Sequence, residues 1–199
     1  MEFLHRAPKL PSHIGILAGA FNPVTVAHLA LARAALARVD EVVFVLPRSF
    51  PHKQYSGAGI EARAALLLAL AAGSASFSVA YADGGLFIEI ARECRAAYGG
   101  SVRVSMLCGR DAAERIVHWD YGVPGAIEKM LEEFSLLVAA RRGEYAPPPR
   151  LADAIGGLEL DGEFDHVSAS EVRRRIAAGD DWEHLVPAAV RDRVRRLYH

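Results

Sequence analysis

Apolar and polar positions alternate between two periods along most of the chain. "HIGILAG", His13 to Gly19, and "EVVFVLP", Glu41 to Pro47, are short continuous apolar runs bounded by turn signals. Such runs are expected of parallel strands covered on both faces. Between them Val24 to Val39 is rich in Ala and Leu at helical spacing, and Pro23 suits the start of a helix. "RSFPHKQYSGAG" breaks the pattern and reads as a loop. Glu61 to Ala72 predicts a helix, "SFSVA" a short strand, Leu86 to Ala97 a helix and "VRVSMLCG" a strand. Asp111 to Ile116 begins another helix, with Asp111 near its positive end. "EFSLLVAARRG" predicts a strand, "EYAPPPR" a stiff connection and "GLELDG" a last strand. Ser168 to Ala177 and Ala188 to Tyr198 close the chain as helices, with Ser168 a natural N-cap. Repeated alternation of strand and helix predicts an α/β fold, a Rossmann-like doubly wound parallel sheet with helices on both faces. In such sheets ligands bind at the carboxyl ends of the strands, near a topological switch point. No internal repeat and no low-complexity linker interrupts the pattern, so residues 1–199 read as a single domain.

Composition adds bounds. The chain is 52% hydrophobic over 199 residues, ample for one core. A net charge of −1 gives no overall field for nucleic acid or an anionic membrane, so any phosphate binding is local. No apolar run reaches the ~18 residues of a membrane helix. The two cysteines, Cys94 and Cys108, lie far apart without metal spacing, in apolar context. Reduced thiols and no secretory signal point to the cytoplasm. Oligomeric state leaves no mark in the sequence, and a homo-oligomer stays open.

Chemistry concentrates at two helix starts. "GAFNPVTVAH", Gly19 to His28, follows the first strand and leads into the first helix. Gly19 lets a backbone approach a ligand closely, and the helix start offers N–H groups and partial positive charge to a phosphate. Thr25 and His28 are three apart and share one face of the first turn. A plain turn with a half-buried histidine is the alternative for this segment alone. "HVSASEVRRRI", His166 to Ile176, repeats the logic. Ser168 and Ser170 stand at a helix start, with Arg173 one turn on, making a second anion cradle. Arg174 and Arg175 read as a solvated charge run.

"GAFNPVTVAH" resembles the G-x-F-x-P-[HT]-x-x-H signature of the nucleotidyltransferase α/β phosphodiesterase superfamily. "VSASEVR" resembles its I-S-S-T-x-x-R signature. "LPRSFPHK", "LCGRDAAERIVHW", "LLVAARRG" and "LVPAAVRDRVRRLY" are similar, in the same order, to segments of nicotinate and nicotinamide mononucleotide adenylyltransferases. Asn22 and Thr25 stand where bacterial members usually carry Asp and His and where eukaryotic-type members commonly carry Asn and Thr. Ala169 and Ser170 replace the usual Ser and Thr.

The resemblance implies adenylyl transfer: the 5′-phosphate of a pyridine mononucleotide attacks the α-phosphorus of ATP and pyrophosphate leaves. It implies that His28 donates to an α-phosphate oxygen and that Thr25 bonds the phosphates beside it. Arg173, Ser168 and Ser170 would hold the outer phosphates, and Lys53 would reach over them. Gly19, Ala20 and Phe21 would give backbone contacts to the nucleotide. Gly109, Asp111 and Trp119 would build the mononucleotide site, with Trp119 stacked on the pyridine ring and Arg141 nearby. Mg²⁺ would arrive with the triphosphate rather than in a protein cage. Two other readings stay open: a transferase of the same fold acting on phosphopantetheine, a flavin mononucleotide or a cytidylyl acceptor, and a catalytically silent nucleotide-binding regulator.

Overall fold

A computed structural model of the chain describes residues 1–49, 57–139 and 145–198. Among these residues a seven-stranded sheet runs in the order β1-β4-β3-β2-β5-β6-β7. Its strands are β1 (Glu2–His5), β2 (His13–Ala18), β3 (Glu41–Pro47), β4 (Phe77–Ala82), β5 (Arg103–Gly109), β6 (Ser135–Ala139) and β7 (Ile155–Leu158). β2 to β7 are all parallel. Counted among themselves they follow the doubly wound order 3-2-1-4-5-6. β2 and β5 lie side by side at the centre, and there the connections change direction. The fold is the α/β sheet that the hydrophobic pattern predicts.

The helices are α1 (Val26–Ala35), α2 (Ile60–Ala71), α3 (Phe87–Tyr98), α4 (Arg110–His118), α5 (Ala126–Leu131), α6 (Ala169–Ala178) and α7 (Arg191–Tyr198). α1, α2, α6 and α7 share one apolar layer that includes Leu31, Leu67, Val172 and Val194, built on Leu17 and Phe44 of the sheet. Ile90, Ala113 and Ile127 of α3, α4 and α5 pack on the other face against Ile16, Val45 and Met106. β3 is buried at every position, which is why its sequence is a continuous apolar run rather than an alternation.

Several sequence expectations change in detail. The sheet is not wholly parallel, because β1 joins its edge antiparallel to β4. A buried polar cluster anchors that edge. Ala7 N–H donates to Ser78 Oγ at 2.8 Å, and Ser78 Oγ and the Tyr98 hydroxyl both donate to Glu41 Oε1. The first helix begins at Val26 and stops at Ala35 rather than spanning Val24 to Val39. Pro23 therefore precedes the helix, and Thr25 is its N-cap. The last helix begins at Arg191, after a 3₁₀ turn over Ala188–Val190. α5 was not foreseen.

Candidate active site

The carboxyl ends of β2, β5 and β6 open into a cleft of ≈ 290 Å³. Thr25 and His28 enter from the start of α1, Gly109 and Cys108 from the end of β5, and Ser168 and Ala169 from the start of α6. Two segments 140 residues apart in sequence thus face one space. Burial pushes the Cys108 thiol up to about 12, so it stays a neutral thiol and is no nucleophile.

α1 starts with a capping box in which the usual Glu or Gln is a histidine. Thr25 N–H donates to His28 Nδ1 at 3.0 Å, and the Thr25 hydroxyl lies 2.7 Å from the same nitrogen. A backbone amide can only donate, so Nδ1 is the acceptor and the neutral ring carries its proton on Nε2. The Phe21 ring meets the imidazole edge-on, with centroids 5.1 Å apart. Thr25 is fully buried. Its hydroxyl is directed at His28, so in the structure it stands behind the imidazole.

The loop from Gly19 to Asn22 is gripped largely by its carbonyls. Arg63 of α2 donates through Nη1 to Ala20 O at 2.6 Å. Arg173 of α6 donates through Nη1 to Asn22 O. The Tyr198 hydroxyl of α7 donates to the Asn22 side-chain oxygen at 2.5 Å. Gly57 presses on the same side chain: a Cβ there would stand 2.2 Å from Asn22 Nδ2. Phe21, between the two gripped carbonyls, adopts φ 47°. A non-glycine residue in that region costs roughly 1–3 kcal/mol and persists only where its surroundings impose it. Gly19 N–H is used within the sheet, on Val45 O at 3.1 Å. By contrast, neither Ala20 nor Phe21 N–H donates to a protein acceptor among the described residues.

α6 shows the predicted cap. Ser168 Oγ accepts from Glu171 N–H at 3.1 Å. Arg173 also reaches Ala169 O and Ser170 Oγ, each at 3.3 Å. These contacts use the two Nη1 hydrogens and one on Nη2. Nε and the second Nη2 hydrogen have no partner among the described residues, so two of the five guanidinium donors remain for an anion. Arg174 and Arg175 both pair with Glu171, as a solvated charge run does.

The mononucleotide residues are spread more widely. Gly109 lines the central cleft. Trp119 lies just past α4 and is 55% exposed. With Tyr121, Glu128 and Arg150 it lines a second cleft of ≈ 640 Å³. Asp111 sits exposed in the first turn of α4 and lines neither cleft. Lys53 and Arg141 fall outside the described residues. Sequence reading missed Arg63, Asn22 and Tyr198 as parts of the site. The one signal for Arg63 was an arginine set among Ala and Leu in a helix whose only other charged residue is Glu61.

A cleft at the switch point of a doubly wound sheet, fed by two helix N-termini, defines a nucleotide-binding α/β protein. The profile of the Cytidylyltransferase-like family matches residues 16–175, and the chain belongs to that family. It is 31% identical over 190 residues to a protein of Bordetella avium named "Probable nicotinate-nucleotide adenylyltransferase", covering 89% of this chain and 92% of that one. A protein of Moorella thermoacetica with the same name is 25% identical over 202 residues, covering 93% and 90%. Among solved structures, Plasmodium falciparum nicotinic acid mononucleotide adenylyltransferase complexed with NaAD superposes with a TM-score of 0.71. That match has 17% identity and covers 93% of this chain and 95% of the other.

Proposed function

We propose that this chain is the adenylyltransferase of NAD biosynthesis that joins ATP to a pyridine mononucleotide, with nicotinate mononucleotide as its preferred acceptor. The observation that carries the reading is the His28 imidazole, whose ring proton Thr25 assigns to Nε2 in the cleft that also receives the start of α6. The names of the relatives support nicotinate over nicotinamide.

The acceptor 5′-phosphate attacks the α-phosphorus of ATP in line, and pyrophosphate departs from the opposite side. No covalent bond to the protein is needed, so the protein's work is alignment and charge stabilisation. His28 Nε2–H donates to an α-phosphate oxygen as its charge develops. Arg173 Nε and Nη2, with Ser170 and the α6 N-terminus, hold the outer phosphates and then the leaving pyrophosphate. Ala20 and Phe21 N–H, which meet no protein acceptor among the described residues, bind the nucleotide. Among the described residues no group of three or more His, Cys, Asp or Glu side chains gathers at one point. The donors around the cleft are hydroxyls, an imidazole, a guanidinium and amides, a set suited to phosphate rather than to a cation. Mg²⁺ would enter with the triphosphate and would neutralise phosphate charge there. EDTA in excess over Mg²⁺ should stop pyrophosphate release, and added Mg²⁺ should restore it. A rate that survives chelation would remove the metal from the scheme.

Trp119 stacks on the pyridine ring, and its exposure argues for that role because a packing residue would be covered. Base stacking on an aromatic contributes about 1–3 kcal/mol. Trp119→Ala should thus raise KM for the mononucleotide roughly 5- to 150-fold, with KM for ATP nearly unchanged. Trp119→Phe should recover much of the loss, and the melting temperature should hold. If both KM values and the melt move together, the stacking role is wrong.

Among the described residues no helix is long and apolar enough to cross a membrane. Two free, buried cysteines fit a cytoplasmic enzyme. The test of the whole reading is a coupled assay of ATP and Mg²⁺ with each mononucleotide, reading dinucleotide formed. Product with nicotinate mononucleotide supports it. Product only with phosphopantetheine, a flavin mononucleotide or a cytidylyl acceptor overturns it, as does ATP binding without turnover.

A further inference from the structure

Arg63 is the anomaly of the site. It is a cation only 3% exposed, on the apolar side of α2 between Ile60 and Leu67. Burying an arginine is unfavourable unless its donors find acceptors of good geometry. Here the guanidinium donates through Nε to Ala58 O at 3.0 Å and through Nη1 to Ala20 O at 2.6 Å. One acceptor belongs to the segment entering α2, and the other to the signature loop after β2. A methionine or leucine would fill the same space without that requirement, so the arginine is kept for what it holds.

The held carbonyl controls a neighbouring donor. A trans peptide is planar, with its C=O and the next N–H pointing in opposite directions. Fixing Ala20 O against α2 therefore aims Phe21 N–H away from α2. Phe21 is the residue at φ 47°, and its N–H has no protein acceptor among the described residues. A buried amide in that condition points to a ligand. We propose that Arg63 is a positioning residue for adenylyl transfer: by gripping Ala20 O it sets the Ala20–Phe21 peptide so that Phe21 N–H meets the nucleotide. The inference rests on the adenylyltransferase reading above. Arg63 itself touches no substrate.

The role needs a fork rather than a charge alone. Lysine keeps the charge, but its single ammonium cannot hold two carbonyls at the angles a planar guanidinium does. Arg63→Lys should lower kcat/KM for ATP about 10-fold, and Arg63→Ala about 100-fold, in line with the cost of an ~1 Å misplacement. KM for the mononucleotide should stay within about threefold, because the displaced amide belongs to the ATP side. Ethylguanidinium at millimolar levels, filling the space left in Arg63→Ala, should restore at least about 10-fold of the lost rate. ATP affinity measured by calorimetry without acceptor should fall in parallel for both variants.

Arg63→Lys with wild-type kcat and wild-type ATP affinity would overturn the proposal. So would a uniform loss toward both substrates that follows the melting temperature and is not rescued by ethylguanidinium. If Arg63→Ala does not fold, Arg63→Lys and calorimetry decide alone. If the wild-type protein forms no dinucleotide, the adenylyltransferase reading fails, while calorimetry still tests whether Arg63 sets ATP binding.

Discussion

Replacing His28 with alanine should lower kcat by about 10²–10³-fold, the usual cost of losing one donor aimed at developing negative charge, or roughly 3–4 kcal/mol. The fold should survive. His28 is half-buried at the surface of the cleft, and the Thr25 cap bond it accepts contributes only about 1 kcal/mol. KM for ATP should change much less than kcat, because the bond strengthens as charge builds on the phosphate. His28→Gln, which offers an amide donor from a longer chain, should recover part of the rate. Steady-state kinetics with a thermal melt check this. A His28→Ala protein turning over within about threefold of wild type would return the histidine to the plain turn reading.

Arg173→Ala should lose about as much rate, but with a different signature. Arg173 holds the outer phosphates in the proposed scheme, and it ties α6 to the signature loop through Asn22 O. Its removal should raise KM for ATP as well as lower kcat. Two carbonyls that accept from a charged donor lose it, at roughly 1.5–3 kcal/mol each. At about 2–4 °C per kcal/mol for a chain of this size, the melting temperature should fall by roughly 6–24 °C. Arg173→Lys should restore more of the ATP binding than of the melt, since lysine returns the charge without the fork. A variant with normal ATP affinity and a lowered melt would make Arg173 a strut and nothing more.

The parts of the fold that run on local pattern were legible. β3 matches its apolar run residue for residue, and Ser168 caps α6 as read. Ala and Leu continue beyond Ala35, so composition alone overran the end of α1. β1 is four residues with no alternation, and its partner Tyr81 lies 79 residues away from Glu2. Nothing nearby announces such a pairing. The site was legible as motifs: Thr25, His28, Gly109 and Ser168 do line one cleft. Their roles were less so. Shared helical face placed Thr25 beside His28, but not behind it with the hydroxyl turned inward. Arg63 was only hinted at by its apolar neighbours and Tyr198 not at all, because burial of a charge, or a contact between residues 176 apart, is a property of the packed molecule.

The grip on the signature loop also has a history in time. Ala20 is met by a residue 43 positions later, Asn22 by residues 151 and 176 positions later. At about 5–20 residues per second, roughly 9–35 s separate the synthesis of Asn22 from that of Tyr198. β2 and α1 can pair and pack long before then, since their contacts are local. Until then the signature loop, with Phe21 at φ 47°, is held only by Arg63 of α2 among these three side chains. The β2–α1 side of the cleft is therefore made first, and the contacts from α6 and α7 that hold Asn22 close after it.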